Sequence, residues 1–496
     1  MNPSPAAKEQ KDRTAATTLA ALEPQPVATE AAKGLLPWLV AFAFFMESLD
    51  TTILNTAVPA ISAALNVPTL SMKAVLASYT LSLAVFIPIS GWMADHFGTR
   101  RVFASAIGLF TLGSLLCGLS TDIHTLVACR VLQGMGGAMM VPVGRLTLVR
   151  TFAKSELLRA MSFVSIPALV APMLGPIAGG LIVGYLHWRV IFFLNIPIGL
   201  IGLVLVYLHL PDYREARTHA LDLVGLILFG AGIALLSYVL EIFGEHQLGG
   251  FEMTGLLALA LLLLGGYAFH ARHTAFPLLE LDLFRIRTFR ASVSGSFFTR
   301  LGIGGVPFLL PLLYQVGLGF TPIQSGLLIM PQAIGALCMK GFMQGILAWI
   351  GYRGVLVSNT ILIGGLLIAF ATVGLHTPIW LIVLQAFFYG AFTSLQYSSM
   401  NTLVYADTTE TQTSNASSIA STMQQMSISF GVAAAGLTTA IFVPASANSN
   451  HLLMIAGIHK ALIVLGILTI ASTIVFRSLK PTDGETVSHQ KSLHAG

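Results

Sequence analysis

Fourteen apolar stretches, most of them 20 residues or longer, follow one another along this chain, and they leave lipid as the solvent it is built for. A helix needs about 20 apolar residues to cross a hydrocarbon core. The runs fall at 35–59, 72–93, 102–120, 124–149, 158–184, 188–209, 221–243, 252–270, 291–316, 323–348, 354–374, 379–403, 413–441 and 457–477. Only 9% of the 496 residues are charged, whereas soluble domains carry about a quarter. A membrane β-barrel would instead alternate in segments of about ten residues. These runs are continuous, so they are expected to be helices, and the predicted fold is an all-α membrane protein.

Lysine and arginine set the orientation. With both termini placed in the cytoplasm, 19 of the 26 basic residues fall on the inner side, three outside and four within spans. The basic balance therefore reports topology and contact with anionic lipid, and no nucleic-acid partner is expected. Cys117, Cys129 and Cys338 all lie within apolar runs, so no disulfide framework is expected. Residues 1–33 are rich in Ala, Pro and Thr and lack the order of a cleavable signal. They and residues 478–496 are expected to be disordered cytoplasmic tails.

The polar stretch 271–290 is the main interior break and is expected to be a cytoplasmic loop. The two runs before it, within 211–270, hold little polar chemistry beyond Glu241 and His270 near their ends. This predicts a six-helix bundle over 34–210, a second over 291–477, and an inserted pair between them. Gly351-Tyr352-Arg353 repeats Gly98-Thr99-Arg100, with Ala348 where the first copy has Asp95. The repeat points to duplication.

Residues 91–101, Gly-Trp-Met-Ala-Asp-His-Phe-Gly-Thr-Arg-Arg, join spans two and three. Gly91 and Gly98 permit a tight turn, Arg100 and Arg101 suit the anionic inner leaflet, and Asp95 is placed to cap the next helix or to pair with an arginine. Asp50 sits about 15 positions into span one. An ionisable group at that depth is expensive and marks a functional site by default. Glu47 lies one turn earlier on the same face, and two close acids resist joint ionisation, so proton exchange or hydrogen bonding to a neighbouring helix are both open. Arg130 in span four lies at a depth within roughly 5 Å of Asp50, counting 1.5 Å per residue. Gln133 and Arg145 share or flank its helix face, which reads either as cavity lining or as close packing. Span five carries Pro172, Gly175, Pro176 and Gly179, a pattern for a bent, closely packed helix. Arg300 and Lys340 are cations within spans nine and ten. Span thirteen is polar, with Asn415, Gln424 and Gln425 among its residues, so part of it is expected to line a cavity or to bond neighbouring helices.

Taken together, the chain resembles the fourteen-span drug:proton antiporters of the major facilitator superfamily, the EmrB/QacA type. The resemblance rests on five segments in order: Leu49–Pro59, Gly91–Arg101, Arg130–Gly134, Ala171–Gly180 and Trp188–Gly199. It implies two six-helix bundles plus two extra spans, working in a bacterial inner membrane by alternating access. It implies export of drugs or endogenous metabolites driven by inward proton flow, with Asp50 and Arg130 in proton coupling and Asp95 as part of a gate latch. Residues 172–179 would be its antiporter segment.

Charges expected to be buried deep within the spans number two acids, Glu47 and Asp50, against four cations, Arg130, Arg145, Arg300 and Lys340. That balance suits organic anions or metal-chelate metabolites at least as well as cationic drugs. No phosphate-binding loop, nucleophile–base pair or metal-ligand cluster stands out, so no enzyme, cofactor or metal site is expected. The expected partners are a small-molecule substrate, protons and the bilayer, with the protein a monomer. A proton symporter (an importer) and a non-transporting membrane sensor are the competing readings.

Overall fold

The apolar runs form helices in a computed structural model, which describes residues 30–152, 154–214, 219–242, 250–409, 412–442 and 451–484. In chain order these are α1 (Glu30–Ala64), α2 (Lys73–Phe97), α3 (Thr99–Leu119), α4 (Ile123–Thr151), α5 (Lys154–Tyr185), α6 (Asn195–His209), α7 (Leu223–Ile242) and α8 (Gly250–His273). After a polar connection come α9 (Arg287–Ile303), α10 (Val306–Leu312), α11 (Pro322–Phe370), α12 (Ile379–Leu403), α13 (Thr413–Phe442) and α14 (His451–Ala471). A π-helical turn, Leu313–Gly317, continues α10.

Twelve helical segments among the described residues are long and apolar enough to cross a membrane. One of them, α11, has 49 residues, about 74 Å at 1.5 Å per residue, far more than a hydrocarbon core of about 30 Å. It breaks at Gly351, whose φ of 75° and ψ of 163° are not helical. The proline-rich α5 adds a shorter apolar stretch at Val170–Tyr185. Counting α11 twice and adding α5 is consistent with fourteen spans.

Local chemistry fixes the helix ends. Asp122 caps α4 by accepting from the Thr125 amide at 2.9 Å and its hydroxyl at 2.6 Å. Thr321 and Gln324 form a reciprocal capping box at the start of α11, with Pro322 in the first turn. Gly98 separates α2 from α3 with φ 95° and ψ 142°, nearly the backbone of Gly351. The degenerate sequence repeat is thus a repeat of shape.

Two boundaries differ from expectation. Helix α1 starts at Glu30, ahead of residue 34. Residues 1–29 and 485–496, expected as tails, lie outside the described residues. The stretch 478–484, expected as tail, instead turns back onto the body. Asp483 there is buried and takes both Nε and Nη2 of Arg287 at the start of α9. A guanidinium at that helix start attracts an anion, and the nearest stretch of chain supplies it.

Helix α1 packs on α5, α4 lies against both α2 and α3, and α6 lies on α3. Beyond the inserted pair, α11 packs on α12 and α14, and α9 on α13. The two sets meet along α2 with α13 and α5 with α11. Helix α7, paired with α8, lies against both α2 and α13 and so covers one of these seams. The close contacts between the two sets gather toward the end opposite the α2–α3 turn at Gly98. There a side chain at Gly180 would strike the Pro322 carbonyl, and one at Gly326 the Pro176 carbonyl. Gln315 Nε2 donates to the Thr56 carbonyl at 2.9 Å, and Ser429 Oγ to the Ala77 carbonyl at 3.2 Å.

Candidate functional site

The most concentrated polar chemistry within the spans surrounds Asp50, which is 1% exposed. Arg130 Nη1 donates to its Oδ2 at 2.6 Å. Its Oδ1 accepts from Gln133 Nε2 at 2.9 Å and from Asn195 Nδ2 at 3.0 Å. Ser114 Oγ lies 2.6 Å from the Gln133 amide and 3.0 Å from the Asn195 amide, closing the ring. The Arg130 guanidinium carbon sits 4.2 Å from the centroid of the Tyr79 ring. Five residues from α2, α3, α4 and the first turn of α6 thus gather around the one carboxylate of α1.

Helix spacing and glycines make this possible. Arg130 and Gln133 are three apart on α4 and so share a face; Arg130 Nη1 also donates to Gln133 Oε1 at 2.6 Å. A Cβ at Gly113 would overlap the Gln133 backbone, and one at Gly134 would overlap Ser82 and the Tyr79 carbonyl. Bare glycine lets α2, α3 and α4 approach closely enough to seat the cluster. A buried ion pair is tolerable only when hydrogen bonds also satisfy it, and here the carboxylate holds three donors.

Expected partners separate into those the fold joins and those it does not. Asp50 and Arg130 meet. Glu47 is half-buried beside the cluster, within electrostatic reach of Asp50 and Tyr79; Thr51 Oγ1 donates to its backbone carbonyl at 2.8 Å. Gln133, expected to line a substrate cavity, is fully buried and belongs to the carboxylate ring. Asn195 and Ser114 were not singled out from sequence as ligands of Asp50, because neither lies at a helical spacing from it. Asn195 does fall within a family-like segment, the one signal available.

In the 91–101 loop, Asp95 pairs with Arg150 at the end of α4, Nη2 to Oδ1 2.7 Å. Capping of α3, the other role open to Asp95, falls to a different acid, Asp212, whose Oδ1 accepts from the Arg100 amide at 3.0 Å. The Arg100 guanidinium lies 6.0 Å from the Tyr207 ring, Arg101 is exposed, and Gly91 has open space where a side chain would go.

The span-five residues lie at the heart of the packing. A Cβ at Gly175 would strike Thr52, and one at Gly179 would strike the Ile53 carbonyl and Thr56. Pro172, Gly175, Pro176 and Gly179 thus fit α5 against the turns of α1 that follow Asp50. The Pro176 carbonyl also receives Gly326 of α11.

The other candidates are spread out. Arg145 is exposed, 5.5 Å from the Phe44 ring. Arg300 is 2% exposed, lies 3.6 Å from the Tyr397 ring and bonds Ser296 Oγ through Nε at 3.0 Å. Lys340 is exposed and donates to Ser398 Oγ at 2.9 Å. Asn415, Gln424 and Gln425 are half-buried along α13. Gln396 on α12 bonds Asn359 and Thr360 on the second part of α11.

Residues 40–432 match the sequence profile of the Major Facilitator Superfamily. The chain belongs to that superfamily. A protein of Serratia proteamaculans named "Putative multidrug resistance protein MdtD" is 41% identical over 82% of this chain and 85% of its own length. One of the same name from Pectobacterium carotovorum is 39% identical over 87% and 93%. Among solved structures, the peptide-transporter-family protein PepTSo aligns with a TM-score of 0.65 at 12% identity, over 90% of this chain and 99% of that one. A bacterial homologue of the lysosomal transporter Spinster, in an inward-facing and unoccupied conformation, aligns with a TM-score of 0.63 at 14% identity, over 91% and 98%. At those identities the shared property is the fold. As a member of this superfamily the chain is a multi-pass membrane transporter of small molecules rather than an enzyme.

Proposed function

We propose that this protein exports small organic molecules in exchange for protons, working as a monomer in the bacterial plasma membrane with both termini in the cytoplasm. The observation that carries this reading is the Asp50–Arg130 pair, buried in the first six spans and satisfied on both carboxylate oxygens. Proton arrival at Asp50 would release Arg130, and its departure would restore the pair. A proton is thereby converted into a rearrangement of the α1–α4 contact. Two six-helix bundles, 34–210 and 291–477, would rock about that site.

The contacts between α5 and α11 and between α2 and α13 support a state closed on the outer side. Arg145 and Lys340 lie toward the opposite end and are exposed. Bonds that cross the seam, such as Gln315 to Thr56, would have to break before cargo leaves. Relatives named for multidrug resistance support export of small molecules over import or sensing. The expected outcome in everted vesicles is that an imposed proton gradient drives uptake of ethidium or 5-carboxyfluorescein, and that a protonophore abolishes it. Uptake that persists after the gradient collapses removes the proton from the mechanism.

A second reading concerns cargo. Arg300 is a buried cation whose neighbours are an aromatic ring and a serine, and burying an uncompensated charge is costly. An organic anion, including a chelate, would supply the missing counter-charge. Carboxyfluorescein transport that survives Arg300→Gln undiminished argues against that role.

A further inference from the structure

Helix α3 begins in an unusual electrostatic position. The first N–H groups of any helix lack internal acceptors. The residue before this helix is Gly98, which has no side chain to cap them. Its first turn also carries Arg100 and Arg101, cations at the end where the helix dipole favours anions. An acceptor must come from elsewhere.

It comes from the strap that follows α6. The Thr99 amide donates to the Tyr213 carbonyl at 3.0 Å, and the Arg100 amide to Asp212 Oδ1 at 3.0 Å. Thr99 Oγ1 donates to the Pro211 carbonyl at 3.2 Å and accepts from the Tyr213 amide at 3.0 Å. Thr151 Oγ1, beside Arg150 on α4, donates to the Tyr213 hydroxyl at 3.1 Å. Trp92, inside the 91–101 loop, donates through Nε1 to the His219 carbonyl at 2.7 Å. Any Cβ at Gly98 would fall on the Asp212 carboxylate. Glycine is therefore demanded twice there, by a positive φ and by the strap.

We propose that Asp212 is a positioning residue of the inner gate: it caps α3 from a distant part of the chain and so holds the α2–α3 turn at Gly98, and with it the end of α2 where Asp95 meets Arg150. The ends of α2, α3, α4 and α6 become one tied unit. When the two bundles swing, the α2–α3 turn at Gly98 moves with this unit rather than hinging alone. His219, shortly before α7, is tied to α2 through Trp92, and α7 lies on the seam between α2 and α13, so the inserted pair is anchored to the same unit. The gate part of this proposal rests on the transport reading; the cap itself does not.

Two measurements on the full chain in nanodiscs test it. Hydrogen–deuterium exchange over residues 98–103 is expected to rise about five- to tenfold in Asp212→Ala, the scale of a lost cap. Asp212→Asn keeps an oxygen acceptor and should restore most of the protection. Spin labels on Phe97→Cys and Trp349→Cys then report the inner opening. Asp212→Ala should cut the short-distance population about threefold, and Asp212→Asn should stay near the parent. Unchanged exchange in Asp212→Ala overturns the cap. Raised exchange with an unmoved distance distribution overturns the gate role, and so does an Asn variant no better than Ala. A parent protein that shows one distance at every pH instead defeats the transport reading and takes the gate role with it, while exchange still decides the cap. Should Asp212→Ala fail to fold, Asp212→Ser provides the same comparison with a shorter acceptor.

Discussion

Breaking the Asp50–Arg130 pair from either side should cost far more than removing both partners together. The pair is fully buried, with side chains 1% and 2% exposed and a 2.6 Å contact. Deleting one partner of such a pair strands the other charge in a low-dielectric interior, a penalty of about 3–5 kcal/mol. In Asp50→Asn the side-chain oxygen still accepts from Gln133 or Asn195, so the loss falls mainly on Arg130. In Arg130→Met the loss falls on the carboxylate, which keeps two amide donors but no counter-charge. With both replaced, no charge is stranded, and such replacements are often close to neutral. The double variant should therefore be more stable than the sum of the singles implies, with a coupling of at least about 2 kcal/mol, toward the upper end for contacting groups. Denaturant unfolding of the purified protein in micelles, run as a double-mutant cycle, measures this. Losses that add to within about 0.5 kcal/mol would refute the claim that these side chains act as one unit. The transport counterpart is that Asp50→Asn reaches the membrane at parental levels yet loses proton-driven efflux.

Further outcomes follow from the packing. Gly179→Leu pushes a side chain into the Ile53 carbonyl and Thr56, and overpacking of this kind should lower stability by about 1–3 kcal/mol; a thermal melt checks it. Gln315→Ala and Ser429→Ala each remove one bond across the seam at the end opposite Gly98, worth about 0.5–1.5 kcal/mol, so cysteine accessibility from that end should rise by roughly two- to tenfold in each. Asp222 caps α7 and also bonds His270 Nε2 at 2.7 Å and the Leu278 amide at 3.0 Å. Burial pushes its carboxyl pKa up, but the Gly225, His270 and Leu278 donors outweigh that, and the net shift is downward from 3.8. A lowered pKa means its stabilisation is complete above that ordinary value and fades as pH falls through the lowered one. Asp222→Asn should flatten the acid limb of the stability profile below pH 4 and leave neutral pH with a smaller change; an unchanged acid limb would count against the clamp.

Several elements were legible before any coordinates. The expectation that spans two and ten are each followed by a glycine turn holds because positive φ selects glycine at Gly98 and Gly351 alike. Depth made the Asp50–Arg130 meeting possible, since helical rise converts sequence position into height. The identity of Asp95's partner did not follow. Arg100 and Arg101 were nearest in sequence, but they extend along the start of α3, whereas Arg150 arrives from the end of α4. Gln133 was misplaced as cavity lining because a helix face does not say which neighbour covers it. Asn195 and Asp212 stayed invisible for the same reason, at 145 residues from Asp50 and 112 from Arg100.

The amino-acid sequence by itself determined that this chain lives in lipid, where its helices start and stop, and how deep each charge lies. Those properties are one-dimensional: they depend on transfer free energy, on caps and on rise per residue. Only the tertiary structure decided azimuth, meaning which face of each helix turns toward which neighbour. That choice is made by glycine-sized gaps such as Gly113 and Gly134 and by the hydrogen bonds a buried carboxylate must find. It is why a buried carboxylate cluster assembled from five helix segments shows only Asp50, Arg130 and Gln133 to a reader of the sequence.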